Sequence, residues 1–293
     1  FVDGTFGLGG HTRAVLAGYP SITRVIGIDR DAEILEYSCR TLEDQRINRF
    51  QANASDLPEI LARCDLKGVD GILLDLGVSS WQLDNAARGF SFTRPGPLDM
   101  RMNNSEGPTA ADLVNQLERD ELTRIFFEYG EEKFSRRIAD AIVRQRNATP
   151  FTTTDQLAKT VTEAMPAASR RQSQIHPATR VFQALRIAVN HELEEIERFL
   201  GIALACLNTG GHLTIISFHS LEDRLVKAFM QKHQKGCECP PRFPVCVCGK
   251  KPLLKLLTGK AIFADDNETA ANPRARSARL RAAMKLSTGD NEK

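Results

Sequence analysis

The residue types suited to chemistry are concentrated in a few short stretches. The first, Asp3-Gly4-Thr5-Phe6-Gly7-Leu8-Gly9-Gly10-His11-Thr12, joins an apolar start to a helical pattern. Glycines let a backbone turn sharply and bring its N–H groups close to a ligand, and the helix N-terminus that follows adds positive potential. Nineteen residues after Gly10, Asp29 closes the apolar run Val25–Ile28, where a carboxylate at a strand end can accept both hydroxyls of a ribose. Either feature alone fits an ordinary turn or a surface aspartate, whereas the pair at this spacing points to a nucleoside ligand. A dinucleotide site prefers Gly-x-Gly-x-x-Gly, but the order here is Gly7-x-Gly9-Gly10 behind an acidic Asp3. A carboxylate in that place repels pyrophosphate and suits a cationic amino-acid moiety, which favours S-adenosylmethionine over NAD.

The second stretch, Asp75-Leu76-Gly77-Val78-Ser79-Ser80, follows the apolar run Gly71–Leu74, at the strand end where open α/β sheets bind ligands. Ser79 and Ser80 are weaker candidates, since both also suit the cap of a following helix. His219 in Ser217-Phe218-His219-Ser220 ends another apolar run and suits either a substrate contact or a structural hydrogen bond. Glu222 and Asp223 read as first-turn charges that favour the helix dipole.

These residues need an α/β frame to bring them together. Near-continuous apolar runs at Val25–Asp29, Gly71–Asp75 and His212–Ser217, separated by helical patterns, predict a parallel sheet covered on both faces. From Ala110 to about Phe199 helices dominate, with Asp120–Phe127, Phe134–Arg146, Thr154–Ala164 and Thr179–Leu200 expected. The organisation expected is a Rossmann-like sheet domain in residues 1–105 and 201–293, interrupted by an all-helical insertion over residues 106–200.

Long strings in this chain resemble one family. They are Gly4-Thr5-Phe6-Gly7-x-Gly9-Gly10-His11, Leu74-Asp75-Leu76-Gly77-Val78-Ser79-Ser80-x-Gln82-Leu83-Asp84, Arg88-Gly89-Phe90-Ser91-Phe92, Gly96–Met102, His176–Arg186, Ser217–Arg224 and Asn272–Ser277. They run in order along the whole chain, and the chain is identified by them as a member of the bacterial 16S rRNA (cytosine-N4)-methyltransferase family, MraW or RsmH. The resemblance implies a class I S-adenosylmethionine-dependent methyltransferase whose inserted domain recognises substrate. It implies methylation of the exocyclic N4 of a cytidine in the decoding region of 16S rRNA, within the small ribosomal subunit. By matching position, the cofactor residues are Gly9, Gly10, His11, Asp29, Asp75 and Gln82. Ala54 takes the place of an aromatic that the family often sets against adenine, and Pro95 stands where an acidic residue is common.

Cytosine N4 is a poor nucleophile because its lone pair is delocalised into the ring. Transfer needs that nitrogen held in line with the methyl group and an acceptor for the proton eventually lost. Many amino-methyltransferases use an Asp/Asn/Ser-Pro-Pro-aromatic loop here. This chain has Asp75-Leu76-Gly77 instead, so the carboxylate and backbone carbonyls here are the candidate proton acceptors, Asp75 is the catalytic candidate in a positioning role, and DNA methylation is disfavoured. An RNA-binding assembly protein with a vestigial cofactor pocket is the rival reading, against which Asp29, Asp75 and Gln82 speak; an NAD oxidoreductase ranks last.

Lysine plus arginine total 39 against 37 aspartate plus glutamate, a net +2, which excludes a histone-like polycation but not a local basic face. Arg170, Arg171, His176, Arg180 and Arg186 in the insertion are candidates for RNA contacts. So is a basic C-terminal tail over Asn272–Lys285 with Arg274, Arg276, Arg279, Arg281 and Lys285. The target base must be unstacked to reach the cofactor, and Phe90 and Phe92 could stack on it or be buried. Of seven cysteines, four cluster as Cys237-Glu-Cys239 and Cys246-Val-Cys248. Zinc, free thiols or an occasional disulfide all suit them, and no catalytic metal is expected. No apolar run approaches the roughly 18 residues of a membrane span. The chain opens inside what reads as a strand, without a charged-then-apolar leader, and a reduced cytoplasmic setting is expected.

Overall fold

The computed structural model describes residues 1–172, 175–235, 239, 245 and 247–287, apart from the side chains of 170–172. Chain order begins β1 (Val2–Asp3), α1 (Gly10–Gly18), β2 (Val25–Asp29), α2 (Ala32–Thr41), β3 (Ile47–Gln51), α3 (Leu57–Arg63) and β4 (Val69–Asp75). It continues through helices α4 (Ser80–Asp84), α5 (Ala110–Gln116), α6 (Arg119–Glu128), α7 (Ser135–Ala148), α8 (Thr154–Ala164), α9 (Ala167–Gln172), α10 (Thr179–Asn190) and α11 (Glu192–Cys206). The last elements are β5 (Leu207–Ser217), α12 (Ser220–Lys235), β6 (Leu254–Leu256), β7 (Ile262–Phe263), α13 (Asp266–Ala271) and β8 (Arg279–Lys285). Two compact units result, Phe1–Gly77 with Leu193–Lys293, and Val78–Glu192.

The first unit is the sheet, in the order β3-β2-β1-β4-β5-β8-β6 with β7 also paired to β8. The pairs from β3 to β5 are parallel and β8 runs antiparallel to β5. Alternation along a strand sends neighbouring side chains to opposite faces. Ile26 and Ile28 join Val2, Ile72, Leu74, Leu213 and Ile215 against Phe199, Leu200 and Val226. Val25 faces the other way, into a smaller cluster with Phe6, Leu16, Leu35 and Ile47. Burying each of these apolar side chains contributes about 1.5–3 kcal/mol. In α2 the N-cap Asp31 accepts from the amides of Glu33 and Ile34, and Ile34 and Leu35 turn inward.

Three features of this unit depart from the sequence reading. β3 was not expected, because Ile-Asn-Arg-Phe-Gln carries few apolar residues; it is an edge strand, and Arg49 inside it donates to Ser38 Oγ and to the carbonyl of Leu42. The expected basic C-terminal tail is not a tail. Residues Arg279–Lys285 form β8, paired from His212↔Met284 to Ser217↔Arg279. Its cations are engaged, Arg281 with Asp223 at 2.7 and 3.1 Å and Lys285 Nζ with the carbonyls of Leu204 and Leu207. Asp223 is thus an ion-pair partner rather than a dipole charge alone. Burial opposes its ionisation, but Arg281 outweighs this and holds the carboxyl below the usual range.

The second unit is helical, built on Phe126, Ile138, Ile142, Phe151, Leu157 and Leu185, all fully or nearly fully buried. The capping boxes Thr109/Asp112 and Thr153/Gln156 start α5 and α8, satisfying amides that a helix start otherwise leaves open. Its first residues are turn formers placed by sequence with the sheet domain, yet Phe90, Leu98, Met100 and Met102 lie in this helical core. The unit therefore begins at Val78, not at 106, and ends at Glu192, not at 200. The single helix expected over Thr179–Leu200 is broken at His191, whose φ of 49° is left-handed, a conformation costing a non-glycine residue about 1–2 kcal/mol. Neighbouring bonds hold the break: Asn190 accepts from Met102 N at 2.7 Å and donates to Met100 O at 2.8 Å.

Candidate active site

Parallel strands put their carboxyl ends on one edge, so β1, β2 and β4 deliver Asp3, Asp29 and Asp75 to the same edge of the sheet unit. The glycine turn leaves β1 beneath them. Gly7 and Gly9 have φ of 53° and 74°, values that favour glycine. Gly9 has a second constraint, since a Cβ there would lie 2.5 Å from Leu42 Cδ2 and 2.9 Å from Phe6 Cζ, and one on Gly27 would lie 2.4 Å from Phe6 Cδ2. Two glycines therefore make room for the buried Phe6 ring, a packing role that glycine-loop reasoning overlooks. Gly10 is different: a Cβ there would meet nothing within 4 Å. Gly9 caps α1 without a side-chain bond, leaving the first amides of that helix open to an anion.

The three carboxylates sit in unlike surroundings. Asp3 is fully buried; its Oδ2 accepts from Thr12 Oγ1 at 2.8 Å, and its Oδ1 has no hydrogen-bond partner among the described residues. Burial pushes its pKa up to about 6, against the opposing pull of the Thr12 hydroxyl and His11. Asp75 Oδ2 lies 3.0 Å from His11 Nε2, the Asp75 amide donates to Thr5 Oγ1 at 2.6 Å, and the buried Asp75 Oδ1 likewise has no partner among the described residues. The bond to Asp75 raises the His11 pKa, outweighing burial. Asp29 takes the amide of Gly7 on Oδ2 at 2.8 Å and that of Asp31 on Oδ1 at 3.0 Å. Burial raises its pKa despite them, and each oxygen keeps a second lone pair for a hydroxyl donor.

Ala54 is buried at the start of the turn after β3, beneath Gly4. That turn is tied down by Glu195 of α11, which accepts from Ser55 N at 2.9 Å and Ser55 Oγ at 3.0 Å. Thr5, Thr12 and Glu195 were missed from sequence; a hydroxyl two residues from a motif aspartate was the available signal for Thr5, and nothing marked Glu195. His219 and Glu222 serve the start of α12. Glu222 is fully buried and accepts from the amides of Phe218 and His219 at 2.8 and 3.2 Å, while His219 Nδ1 takes the Glu222 amide at 3.4 Å. Glu222 is therefore more than a surface charge near a dipole. A cleft of about 1150 Å³ lined by Tyr19, Arg24, Asp70 and His212 shares none of the site residues.

Gln82 belongs to the helical unit. Its Oε1 accepts from Ser79 N at 2.9 Å while Ser79 Oγ accepts from Gln82 N, a capping box that starts α4. In the same unit Phe90 is core, and Phe92 packs between His176 and Phe182 at centroid distances of 4.5 and 4.8 Å. Arg186 is bound bidentately to Glu192 at 2.8 and 2.9 Å, and Arg180 donates to Glu131 O. The side chains of Arg170 and Arg171, and Cys237 and Cys246 of the cysteine cluster, lie outside the described residues.

A sheet in this order, interrupted by a helical insertion and carrying acidic residues with a glycine turn at its carboxyl edge, has the class I methyltransferase fold. The MraW methylase family model matches residues 1–286, and the chain belongs to that family. It is 53% identical to the ribosomal RNA small subunit methyltransferase H of Syntrophotalea carbinolica over 98% of this chain and 91% of the relative. The protein of the same name from Desulforapulum autotrophicum is also 53% identical, over 97% and 92%. That from Carboxydothermus hydrogenoformans is 48% identical over 98% and 92%. Among the described residues no helix is long and apolar enough to cross a membrane.

Proposed function

We propose that this chain transfers a methyl group from S-adenosylmethionine to the exocyclic N4 of a cytidine in the decoding region of 16S rRNA, in the cytoplasm and on the small ribosomal subunit. The observation that carries the chemistry is Asp75, with one oxygen held by His11 and the other buried and without a partner among the described residues. The names of the relatives support the RNA substrate.

The residues present fit the cofactor. Asp3 Oδ1 is a buried acceptor suited to an ammonium group, the open amides beyond Gly9 suit a carboxylate, and the remaining lone pairs of Asp29 suit ribose hydroxyls. Ala54 supplies no ring for adenine to stack on, so the turn pinned by Glu195 would bound the base by its backbone. When bound, S-adenosylmethionine supplies an electrophilic methyl group.

The Asp75 carboxylate accepts a hydrogen bond from the N4 amino group, orienting its lone pair and taking up the proton that the methylated nitrogen must lose. Such a base contributes about 10²–10⁴ in rate. His11 holds Asp75 Oδ2 and fixes the orientation of the carboxylate. The test is incubation of unmodified small subunits with labelled S-adenosylmethionine. Label in 16S rRNA supports the reading; tight cofactor binding with no transfer to any RNA would overturn it in favour of an assembly factor.

A further inference from the structure

Five of the cations expected to face RNA are committed within the protein: Arg186 to Glu192, Arg180 to Glu131 O, Arg279 and Arg281 to Asp223, and Lys285 to two carbonyls. The helical unit nevertheless has a basic face that sequence reading did not single out. Lys133, Arg136, Arg137 and Arg144 are all exposed, and none of them makes a hydrogen bond or ion pair among the described residues.

The three arginines lie together because of helix geometry. At about 100° per residue, Arg136, Asp140, Arg144 and Arg137 of α7 fall within an arc of about 100°, and Lys133 stands two residues before the helix. The residues α7 buries, Ser135, Ile138, Ala139 and Ile142, lie on the opposite side. The burial of that apolar stripe therefore fixes which way the cations point. The one acid on the face, Asp140, is already matched by Arg119 at 2.8 Å, and that pairing, aided by Arg144, keeps its carboxyl below the usual range. The exposed surface is a cationic strip about 12 Å long between Arg136 and Arg144.

We propose that this α7 face docks the phosphodiester backbone of the RNA substrate. This rests on the reading of the chain as an RNA methyltransferase. Three of the four cations are arginines, whose planar forks match phosphate oxygens in pairs. The face carries no aromatic or apolar side chain, so it reads charge and spacing and leaves sequence to other contacts. Its length of about 12 Å is enough to meet more than one phosphate of a single strand.

The test compares the full chain with a variant carrying Lys133→Gln, Arg136→Gln, Arg137→Gln and Arg144→Gln, and with a charge-matched control carrying Lys227→Gln, Lys232→Gln, Lys235→Gln and Lys260→Gln. Binding to a 16S rRNA fragment and to unmodified small subunits is titrated from 50 to 200 mM salt, with circular dichroism and S-adenosylmethionine calorimetry as checks on folding and the cofactor site. The α7 variant is expected to keep its fold and cofactor affinity, to bind both RNA probes at least about tenfold more weakly at low salt, and to lose about 3 from the slope of log K against log salt. The control should keep the wild-type slope. An unchanged slope in the α7 variant, or an equal loss in the control, overturns the proposal. Weakened binding to subunits with unchanged binding to the RNA fragment also overturns it, by assigning the face to a ribosomal protein. A parallel incubation of the same subunits with the wild-type chain and labelled S-adenosylmethionine separates the two readings: if no label reaches RNA, the underlying reading fails instead.

Discussion

Replacing Asp75 with asparagine isolates charge and basicity from shape. Asparagine fills the same space and its amide oxygen can still accept from His11, but its nitrogen presents hydrogens to the substrate amine. The structural cost is small: the His11–Asp75 pair is half open to solvent, with side chains 46% and 30% exposed, and such pairs are worth about 0–1 kcal/mol. At the buried Oδ1 position asparagine exchanges an acceptor without a partner among the described residues for an amide donor in the same place, a change of similar small size. The net change in stability is expected within about 1 kcal/mol, or roughly 2–4 °C in Tm. The chemical cost is of another size, because losing a positioned base removes about 10²–10⁴ in rate, or about 3–5 kcal/mol of barrier. Single-turnover transfer to unmodified small subunits, at saturating labelled S-adenosylmethionine, reads the chemical step directly. Asp75→Asn should fall by two to four orders of magnitude, with cofactor affinity changed less than about tenfold. A rate within tenfold of wild type would refute the assignment of Asp75 as proton acceptor.

Two further outcomes follow from buried charge. Asp3 has a folded pKa of about 6, above its ordinary 3.8, so the folded protein disfavours its ionised form and stability falls as pH rises between about 4 and 6. Relative to wild type, Asp3→Asn should therefore gain on the order of 3 kcal/mol in denaturant unfolding between pH 4 and pH 7.5, while binding S-adenosylmethionine at least tenfold more weakly; a pH-independent difference would contradict the burial argument. In the helical unit, Glu192→Ala leaves Arg186 without its bidentate partner, the two side chains being 6% and 16% exposed. It should cost about 3–5 kcal/mol, whereas Glu192→Leu with Arg186→Met should recover most of that loss; equal losses in urea unfolding would exclude an uncompensated charge as the cause.

The parts legible in the sequence were those set by local pattern. Val25–Asp29, Gly71–Asp75 and His212–Ser217 lie within strands because unbroken apolar runs have few alternatives in a sheet covered on both faces. Thr154–Ala164 has the expected ends because Thr153 and Gln156 close its capping box. The three aspartates of the site edge were legible for the same reason, each ending or following such a run. What escaped depends on partners distant in sequence. β3 is half polar because it is an edge, and β8 looked like a basic tail until Asp223 and the carbonyls near α11 took up its charges. His191 breaks a helix with neither glycine nor proline to announce it, held by Asn190 bonds to residues about ninety positions away. The start of the helical unit at Val78 was hidden because Phe90, Leu98, Met100 and Met102 sit among turn formers, and only packing shows which core they join. The roles of Thr12 and Thr5, which hold Asp3 and the amide of Asp75, likewise need the assembled sheet.

The central claim concerns one atom of one base, and nucleoside mass spectrometry of 16S rRNA tests it most directly. Unmodified small subunits are incubated with this chain and labelled S-adenosylmethionine, and the rRNA is then digested and mapped. The account predicts label in N4-methylcytidine at a single position of the decoding region, absent with Asp75→Asn. Label on cytosine C5, on a ring nitrogen or on another base, or N4-methylcytidine formed equally by the Asp75→Asn protein, would contradict it.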